Sequence, residues 1–204
     1  MNGNVVALDA LLDERRLWKG RALGRASSAQ PTGHAALDAL LPGGGWPDAA
    51  LSEVLLPAAG VGELQVLWPT LARLSAAGER VALVAPPHIP FPPAWLAAGV
   101  DLRGLVLVQA SGRDVLWAAE QCLRSGSCGA VLCWPGAVDD RALRRLQVAA
   151  ETGQTLAFAY RASHDAFNPS PAALRLLLEA PGRVRVLKCR GGVAPDWAIP
   201  LAAG

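Results

Sequence analysis

The sequence is poor in the residues that form most metal and redox sites. It has 4 cysteines and 3 histidines among 204 residues. The cysteine spacings match no zinc pattern, and no histidine has a cysteine or carboxylate partner at ligand spacing. We therefore predict no metal and no cofactor. The cysteines are expected to be reduced, with Cys133 acting as a small apolar residue inside a buried run.

Long apolar runs and a strong excess of one charge are also missing. No uncharged apolar run reaches the roughly 18 residues that a membrane span needs, and Asp9, Asp13 and Glu14 interrupt any candidate signal peptide. The formal net charge of +2 is too small to indicate nucleic acid by itself. With 52% hydrophobic residues the composition is typical of a folded protein. We expect a cytoplasmic protein without membrane contact.

A regular alternation of strand and helix patterns fills the middle of the chain. The strand segments are continuous apolar runs without period-two alternation, as expected for parallel strands that are covered on both faces. The alternation predicts an α/β fold with a mostly parallel sheet flanked by helices. The predicted strands are 51–56, 80–85, 104–109, 129–134 and 155–160, and the predicted helices are 62–77, 92–98, 112–125 and 139–152.

The N-terminal residues predict a helical arm. Residues 5–19 form an amphipathic helical pattern with Leu12 and Trp18 on its apolar stripe. This helix either packs on its own domain or, tethered by the small polar linker 24–31, docks on another chain. Thr32 is the candidate N-cap of a short helix that follows.

The C-terminal third predicts an antiparallel hairpin with one basic face. Residues 173–180 and 183–190 are separated by a Pro-Gly turn. In the second strand Arg183 and Arg185 alternate with valines, so that basic and apolar side chains point to opposite faces. The tail after the hairpin is expected to be loosely structured.

The stretch from Ser52 to Leu64 has the layout of a phosphate-binding loop without its chemistry. A working loop reads G-x-x-x-x-G-K-[ST], with the lysine on the phosphates and the hydroxyl on magnesium. Here the frame runs from Pro57 to Gly62 and is followed by Glu63 and Leu64. A carboxylate repels a triphosphate, and a leucine offers magnesium no oxygen. We interpret the loop as vestigial and kept for its shape.

Two neighbouring segments carry a family resemblance. The run PTGHAALDALLPGGGWPDAALSEVL (31–55) resembles the lead-in to a RecA-type ATPase core. Its QPTG start, its LPGGGWP turn and the upstream LLDERRLWKGR resemble the ImuA family, small RecA-like proteins of bacterial translesion-mutagenesis cassettes that are akin to the division inhibitor SulA. The resemblance implies a RecA-like P-loop-type core over 31–190, preceded by an N-terminal helix and linker (1–30) and followed by a C-terminal tail (191–204).

The resemblance also shows which residues hydrolysis would need. A RecA protein carries a catalytic glutamate just after the second strand, where residues 84–88 hold no carboxylate. The Walker-B aspartate should end the strand near 130–133, where Trp134 stands instead. Since the loop cation and hydroxyl are replaced as well, we predict a degenerate ATPase that is not an enzyme.

The function implied by the resemblance is that of a non-catalytic accessory or scaffold protein of SOS-induced translesion DNA synthesis. Its implied partners are an ImuB-like Y-family polymerase homologue, an error-prone replicative-type DNA polymerase alpha subunit, and RecA. The alternative is a SulA-type cell division inhibitor that binds the tubulin-like FtsZ. The candidate partner-binding residues lie on the N-terminal helix and the basic hairpin: Leu12, Trp18, Arg183, Arg185, Lys188 and Arg190.

Direct DNA binding is a third possibility. Residues 141–204 carry nine basic and four acidic side chains, so this part of the chain is the most basic. A single patch requires the fold to bring the arginines together. Few aromatic residues accompany them, and we favour a solvated face with at most weak DNA contact. The arginines considered, besides those of the hairpin, are Arg141, Arg144, Arg145, Arg161 and Arg175.

Overall fold

The computed structural model describes residues 30–60 and 62–201. The strands are β1 (Leu51–Leu56), β2 (Val81–Val84), β3 (Leu105–Val108), β4 (Ala130–Cys133), β5 (Leu156–Ala162), β6 (Leu174–Ala180), β7 (Arg183–Cys189) and β8 (Ile199–Pro200). The α-helices are α1 (Ala35–Asp38), α2 (Trp68–Ala76), α3 (Pro92–Ala97), α4 (Asp114–Arg124) and α5 (Asp140–Gly153). The predicted N-terminal helix, with Leu12 and Trp18, lies outside the described residues.

The strands form one eight-stranded sheet in the order β3-β2-β4-β5-β1-β6-β7-β8. Strand β1 lies near the middle and runs parallel to its two neighbours, β5 and β6. The parallel pairing continues from β5 through β4 and β2 to β3. Only at the other end does β7 reverse direction, pairing antiparallel with β6 and with β8. The predicted α/β fold with a mostly parallel sheet is confirmed.

Each face of the sheet packs against its own layer of helices. All six residues of β1 are buried, including the polar Ser52 and the charged Glu53. Val54 and Leu56 face the layer that contains α1, α2 and α3. Leu51 faces the layer made by α4 and α5. Among the described residues, no helix combines the length and apolar character that crossing a membrane requires.

The predicted strand limits agree with the structure within two residues, whereas one helix limit is wrong. The helical pattern predicted from residue 62 becomes α2 only at Trp68, and residues 62–67 form turns. Pro69 lies in the first turn of α2. Because proline has no backbone N–H and clashes inside a helix, it marks a helix start, a signal that the 62–77 prediction missed.

Thr32 is not the helix cap that the sequence predicts. Helix α1 begins at Ala35, with His34 in the N-cap position. The Thr32 hydroxyl oxygen accepts a hydrogen bond from the backbone N–H of His34 at 3.1 Å. The Thr32 backbone N–H donates to the Asp38 carboxylate at 2.9 Å. Thr32 thus holds the short helix from outside its first turn.

The antiparallel hairpin is confirmed, and the tail adds a strand that the sequence did not reveal. Strands β6 and β7 pair across a turn in which Gly182 adopts a φ of +73°. Val184 is buried while Arg183, its neighbour, is exposed, so the two faces differ as predicted. Within the tail, Ile199 of β8 pairs with Val184 and is buried. The described part of the tail therefore completes the sheet.

Candidate functional site

In the loop after β1, a carboxylate of the loop itself lies where a phosphate-binding loop would hold its anion. Gly60 and Gly62 adopt left-handed backbone conformations with φ of +79° and +86°. The Glu63 side chain folds back into this turn and is buried, and its Oε1 accepts a hydrogen bond from the Gly60 N–H at 3.3 Å. Backbone N–H groups of this kind bind phosphate in a working loop. Here an internal carboxylate occupies one of them.

The segment between the loop and α2 also differs from a phosphate site. In a working loop the N–H groups of the following helix point at the phosphate. Here turns separate Gly62 from Trp68, and Pro69 removes one N–H from the first turn of α2. Leu64, at the position of the magnesium-binding hydroxyl, packs against the hydrophobic core. The arrangement presents hydrocarbon where a nucleotide needs donors and a metal ligand.

An aromatic stack lies at the position where the family resemblance would place a Walker-B aspartate. Trp134 follows β4 and stacks on Tyr160 of β5, with ring centroids 4.7 Å apart. The Tyr160 hydroxyl donates to the backbone oxygen of Glu63 at 3.4 Å. Burial, reinforced by the nearby Glu63 charge, raises the pKa of Tyr160 well above its usual value. The indole N–H of Trp134 is buried and has no acceptor among the described residues.

Glu63 and Trp134 border an apolar cavity of about 440 Å³ at the carboxyl ends of the strands. Trp68 and Trp95 meet edge to face in its wall, with ring centroids 5.0 Å apart. Its lining is otherwise mostly aliphatic, aromatic and proline side chains, with Glu63 and His88 as the titratable members. The lining also includes Leu64, Leu83, Ile89, Phe91, Ala94 and Trp134.

A proline-rich segment forms the outer rim of this cavity. Residues 86–93 read PPHIPFPP and connect β2 to α3, where a RecA protein would carry its catalytic glutamate. Ile89 is 83% exposed and Phe91 is 68% exposed. Carboxylate patterns in the sequence do not point to these apolar residues. The sequence feature that does is a run of five prolines around two large apolar side chains, which leads from β2 into the start of α3.

The residues that carry the family resemblance make structural contacts inside the protein. The Trp46 indole N–H donates to the Thr70 hydroxyl at 2.7 Å, and that hydroxyl donates to the Thr32 backbone oxygen at 3.2 Å. Gly33 lies so close to α2 that a Cβ there would sit 2.3 Å from Pro69. The same distance would separate a Cβ at Gly45 from a backbone oxygen. The PTG and GGGWP motifs thus fix the lead-in segment against α2.

A buried ionic network crosses the middle of the sheet. Glu53 of β1 is fully buried, and its two carboxylate oxygens accept from Arg161 of β5 at 2.6 Å and from Arg175 of β6 at 2.7 Å. Arg161 also pairs with Asp165 at 3.1 Å, whereas His164 is exposed. The suggestion that Arg161 and Arg175 contribute to a surface DNA patch is therefore wrong, because both are inside the protein.

The other arginines outside the hairpin are mostly paired. Arg144 forms an ion pair with Asp140, and Arg145 pairs with Glu120. Asp139 is the N-cap of α5 and accepts the Ala142 N–H at 2.8 Å, so this carboxylate has a structural role. The side chains considered for a DNA patch therefore do not form one continuous basic surface.

The four hairpin candidates lie on β7 and just beyond it. Arg185 pairs with Glu179, and Lys188 donates to the Ser170 backbone oxygen at 2.7 Å. Burial and the charges of Arg190 and Arg175 lower the pKa of Lys188. Arg183 and Arg190 remain exposed. The strand keeps a basic outer face, although Lys188 and Arg185 are already engaged.

Neither a metal centre nor a reactive thiol is evident in the described residues. No group of three or more His, Cys, Asp or Glu side chains is placed to hold a metal ion among them. Cys133 is buried, as its apolar surroundings predicted, and burial raises its pKa to about 12. The other three cysteines are partly exposed, and burial raises their pKa values too. Raised pKa values keep these thiols protonated and poorly nucleophilic.

Comparison with solved structures gives a partial likeness, whereas the other two comparisons find none. No protein-family model matches the chain, and a search of curated proteins finds no match. Among solved structures, the chain is similar to SulA from Pseudomonas aeruginosa, with 28% sequence identity and a TM-score of 0.48. The likeness covers 57% of this chain and 99% of that SulA chain.

Proposed function

We propose that this chain is a binding protein that has lost nucleotide chemistry. The observation that carries the proposal is the Glu63 carboxylate on the Gly60 N–H, inside the loop where a phosphate would have to bind. A triphosphate would have to displace this carboxylate and would still meet neither a loop lysine nor a Walker-B aspartate. Trp134 and Tyr160 replace that aspartate with an aromatic stack. The chain is accordingly not an enzyme.

The specific role we propose is that of a non-catalytic accessory protein of SOS-induced translesion DNA synthesis. The ImuA-like PTG and GGGWP motifs support this role, since they occur together and in order before β1. The proposed partners are an ImuB-like Y-family polymerase homologue, an error-prone replicative-type polymerase alpha subunit, and RecA. A protein without a nucleotide switch suits a fixed scaffold between such partners, and the cytoplasm is where they meet.

The basic hairpin supports contact with an acidic protein surface better than contact with DNA. Arg183 and Arg190 are exposed at its outer face. DNA affinity depends on many phosphate contacts, and Arg161 and Arg175 are withdrawn into the Glu53 network. We expect DNA binding by the purified chain to be weak even at low salt.

Affinity purification of the tagged full chain tests the proposal. The Y-family-like and polymerase alpha partners are expected to co-purify in a salt-resistant complex. Retention of FtsZ without either polymerase partner would contradict the translesion role and would favour the division-inhibitor alternative. A double variant, Arg183→Glu with Arg190→Glu, is expected to weaken the complex if the hairpin contacts a partner. The matched control is Arg103→Glu, an exposed arginine outside the hairpin.

A further inference from the structure

The cavity after β1 has the composition of a protein-docking site. We propose that it binds an extended, uncharged segment of a partner protein, which inserts a large apolar side chain against Trp68, Trp95 and Trp134. The inference deepens the proposed binding function, because it names the surface and the chemistry of the segment that surface accepts. It also assigns a role in protein binding to the loop that has the layout of a phosphate-binding loop.

The lining of the cavity selects an uncharged ligand. Its volume of about 440 Å³ lies in the range of ordinary ligand pockets. Its only carboxylate, Glu63, is buried and engaged with the Gly60 N–H. The side chains around it offer mostly aromatic and aliphatic surface, and the polar side chains among them, Gln65 and His88, carry no carboxylate. Transfer of an apolar side chain into such a site is favourable in proportion to the area removed from water.

The rim of the cavity favours a polypeptide over a small molecule. Ile89 and Phe91 belong to the lining of the cavity, yet they are 83% and 68% exposed. A small ligand inside the cavity would leave most of this exposed surface in water. A partner segment that crosses the rim would bury them together with the anchor side chain. Contiguous exposed apolar surface of this kind marks interaction sites.

The depression continues beyond the cavity, which fits an extended chain. A second concavity shares Pro86, His88 and Ile89 with the first and adds Leu107 at the end of β3. The path from β4 past β2 to β3 crosses two strand spacings, about 10 Å. About three residues of extended chain cover that length. Alternate side chains of such a segment would then face the cavity and the shallower depression.

The rim is also stiff, which favours binding. Five prolines lie within residues 86–93, and each fixes its own φ. A pre-ordered rim loses less conformational entropy when a partner binds, so more of the contact energy appears as affinity. Large aromatic and apolar anchors in desolvated pockets carry most of the binding energy in protein interfaces. Phe91 and the three tryptophans have that character.

A fluorine NMR titration of the full chain tests the proposal. Tryptophan is replaced by 5-fluorotryptophan, and the probe is an acetylated, amidated peptide of sequence GLSFSLG. We expect the Trp68, Trp95 and Trp134 signals to shift while that of Trp197, an exposed tryptophan outside the cavity lining, does not. Ile89→Ser combined with Phe91→Ser should weaken binding on the order of tenfold. The matched control, Phe167→Ser, removes an aromatic ring that is 93% exposed elsewhere and should leave binding unchanged.

Other outcomes contradict the docking proposal. Absence of shifts, or an affinity for the peptide that is unchanged in the double variant, would overturn it. Binding of N-acetylphenylalanine amide as tight as that of the peptide would indicate a small-molecule cavity. A dimer of the free protein that Phe91→Ser dissociates would show that a second copy occupies the surface.

The purification experiment separates this inference from the proposed function. If the polymerase partners co-purify equally with wild type and with the Ile89→Ser, Phe91→Ser variant, the docking inference fails and the function stands. If the peptide binds with the expected dependence on Phe91 but no polymerase partner co-purifies, the translesion role fails and the docking site stands.

Discussion

Two buried glutamates lie ten residues apart on either side of the end of β1, and their surroundings differ. Glu53 accepts hydrogen bonds from two buried arginines on neighbouring strands. Glu63 accepts a hydrogen bond from the N–H of Gly60, and no ion pair to Glu63 is found among the described residues. A buried charge with full ionic compensation belongs to the framework. A carboxylate that accepts a hydrogen bond from its own loop can be substituted without loss of the sheet.

The difference indicates that the centre of the sheet serves stability, whereas its carboxyl end serves the proposed binding. Glu53 is compensated by Arg161 and Arg175, and together they join β1, β5 and β6. Around Glu63 the wall is apolar and partly open, and it leads to the exposed Ile89 and Phe91. The centre of the sheet holds charged groups that are paired with one another. At the carboxyl end of the sheet, the apolar residues Ile89 and Phe91 are exposed to solvent.

The largest effect is expected from breaking the Glu53 network. Glu53→Gln removes the charge that compensates two buried guanidinium groups, and loss of a partner in a buried pair costs about 3–5 kcal/mol. Urea unfolding followed by circular dichroism measures this loss. The control is Glu179→Gln, which breaks the more exposed pair with Arg185 and should cost under about 1 kcal/mol. Equal effects of the two substitutions would contradict a framework role for Glu53.

The buried Tyr160 predicts a loss of stability at alkaline pH. Its pKa in the folded protein lies well above the ordinary value of 10.0. The unfolded chain therefore releases the phenol proton first, so the free energy of unfolding is unaffected below pH 10 and falls above it, by about 1.4 kcal/mol per pH unit. Since Tyr160 is the only tyrosine, phenolate absorbance reports it alone. Ionisation near pH 10 in a chain that stays folded would contradict this burial.

A smaller effect is expected from Glu63→Gln. The substitution keeps an acceptor for the Gly60 N–H and removes the charge, so the free energy of unfolding should change by about 1 kcal/mol or less. The pKa of Tyr160 should fall towards its ordinary value but stay above it, because burial is the larger cause of its rise. Chemical denaturation and alkaline titration measure the two quantities. A loss as large as that of Glu53→Gln would remove the distinction between the two sites.

The smallest effect is expected at Trp134. Trp134→Phe keeps an aromatic ring on Tyr160 and removes a buried N–H that has no acceptor among the described residues. Relief of an unpaired donor should leave stability unchanged or raise it by about 1 kcal/mol. Trp46→Phe is the matched control, because its N–H donates to Thr70 and its loss should cost about 1–3 kcal/mol. A comparable loss at Trp134 would show that its N–H is satisfied.

The sequence predicted the sheet better than it predicted the site. The runs VALV and AVLC identify β2 and β4 because both strands are buried on both faces. The run LVLV identifies β3 as well, although this edge strand is partly exposed. The hairpin was equally visible, because Arg183 and Val184 alternate around a Pro-Gly turn. By contrast, two residues of β8 are too short a pattern to recognise without their partner β7.

The Glu53 network and the cavity depend on long-range neighbours. Arg161 and Arg175 lie more than a hundred residues from Glu53 in sequence, so nothing local distinguishes them from surface arginines. The cavity wall likewise combines residues that follow β1, β2 and β4. The proposed loss of phosphate chemistry rests on Glu63 and Leu64, which are visible in the sequence. The apolar cavity becomes visible only in the fold, which places Trp68, Trp95 and Trp134 in one wall.

The central claim is that the loop after β1 has exchanged phosphate binding for apolar contact, and a thermal melt of the full chain with and without ATP and magnesium tests it most directly. A nucleotide present at 100 times its Kd would add about 2.7 kcal/mol of stability. For a chain of this size, each kcal/mol raises the melting temperature by about 2–4 °C. We expect no rise at all, since Glu63 holds the loop and Leu64 offers no metal ligand. A rise of several degrees that requires both ATP and magnesium would contradict the account.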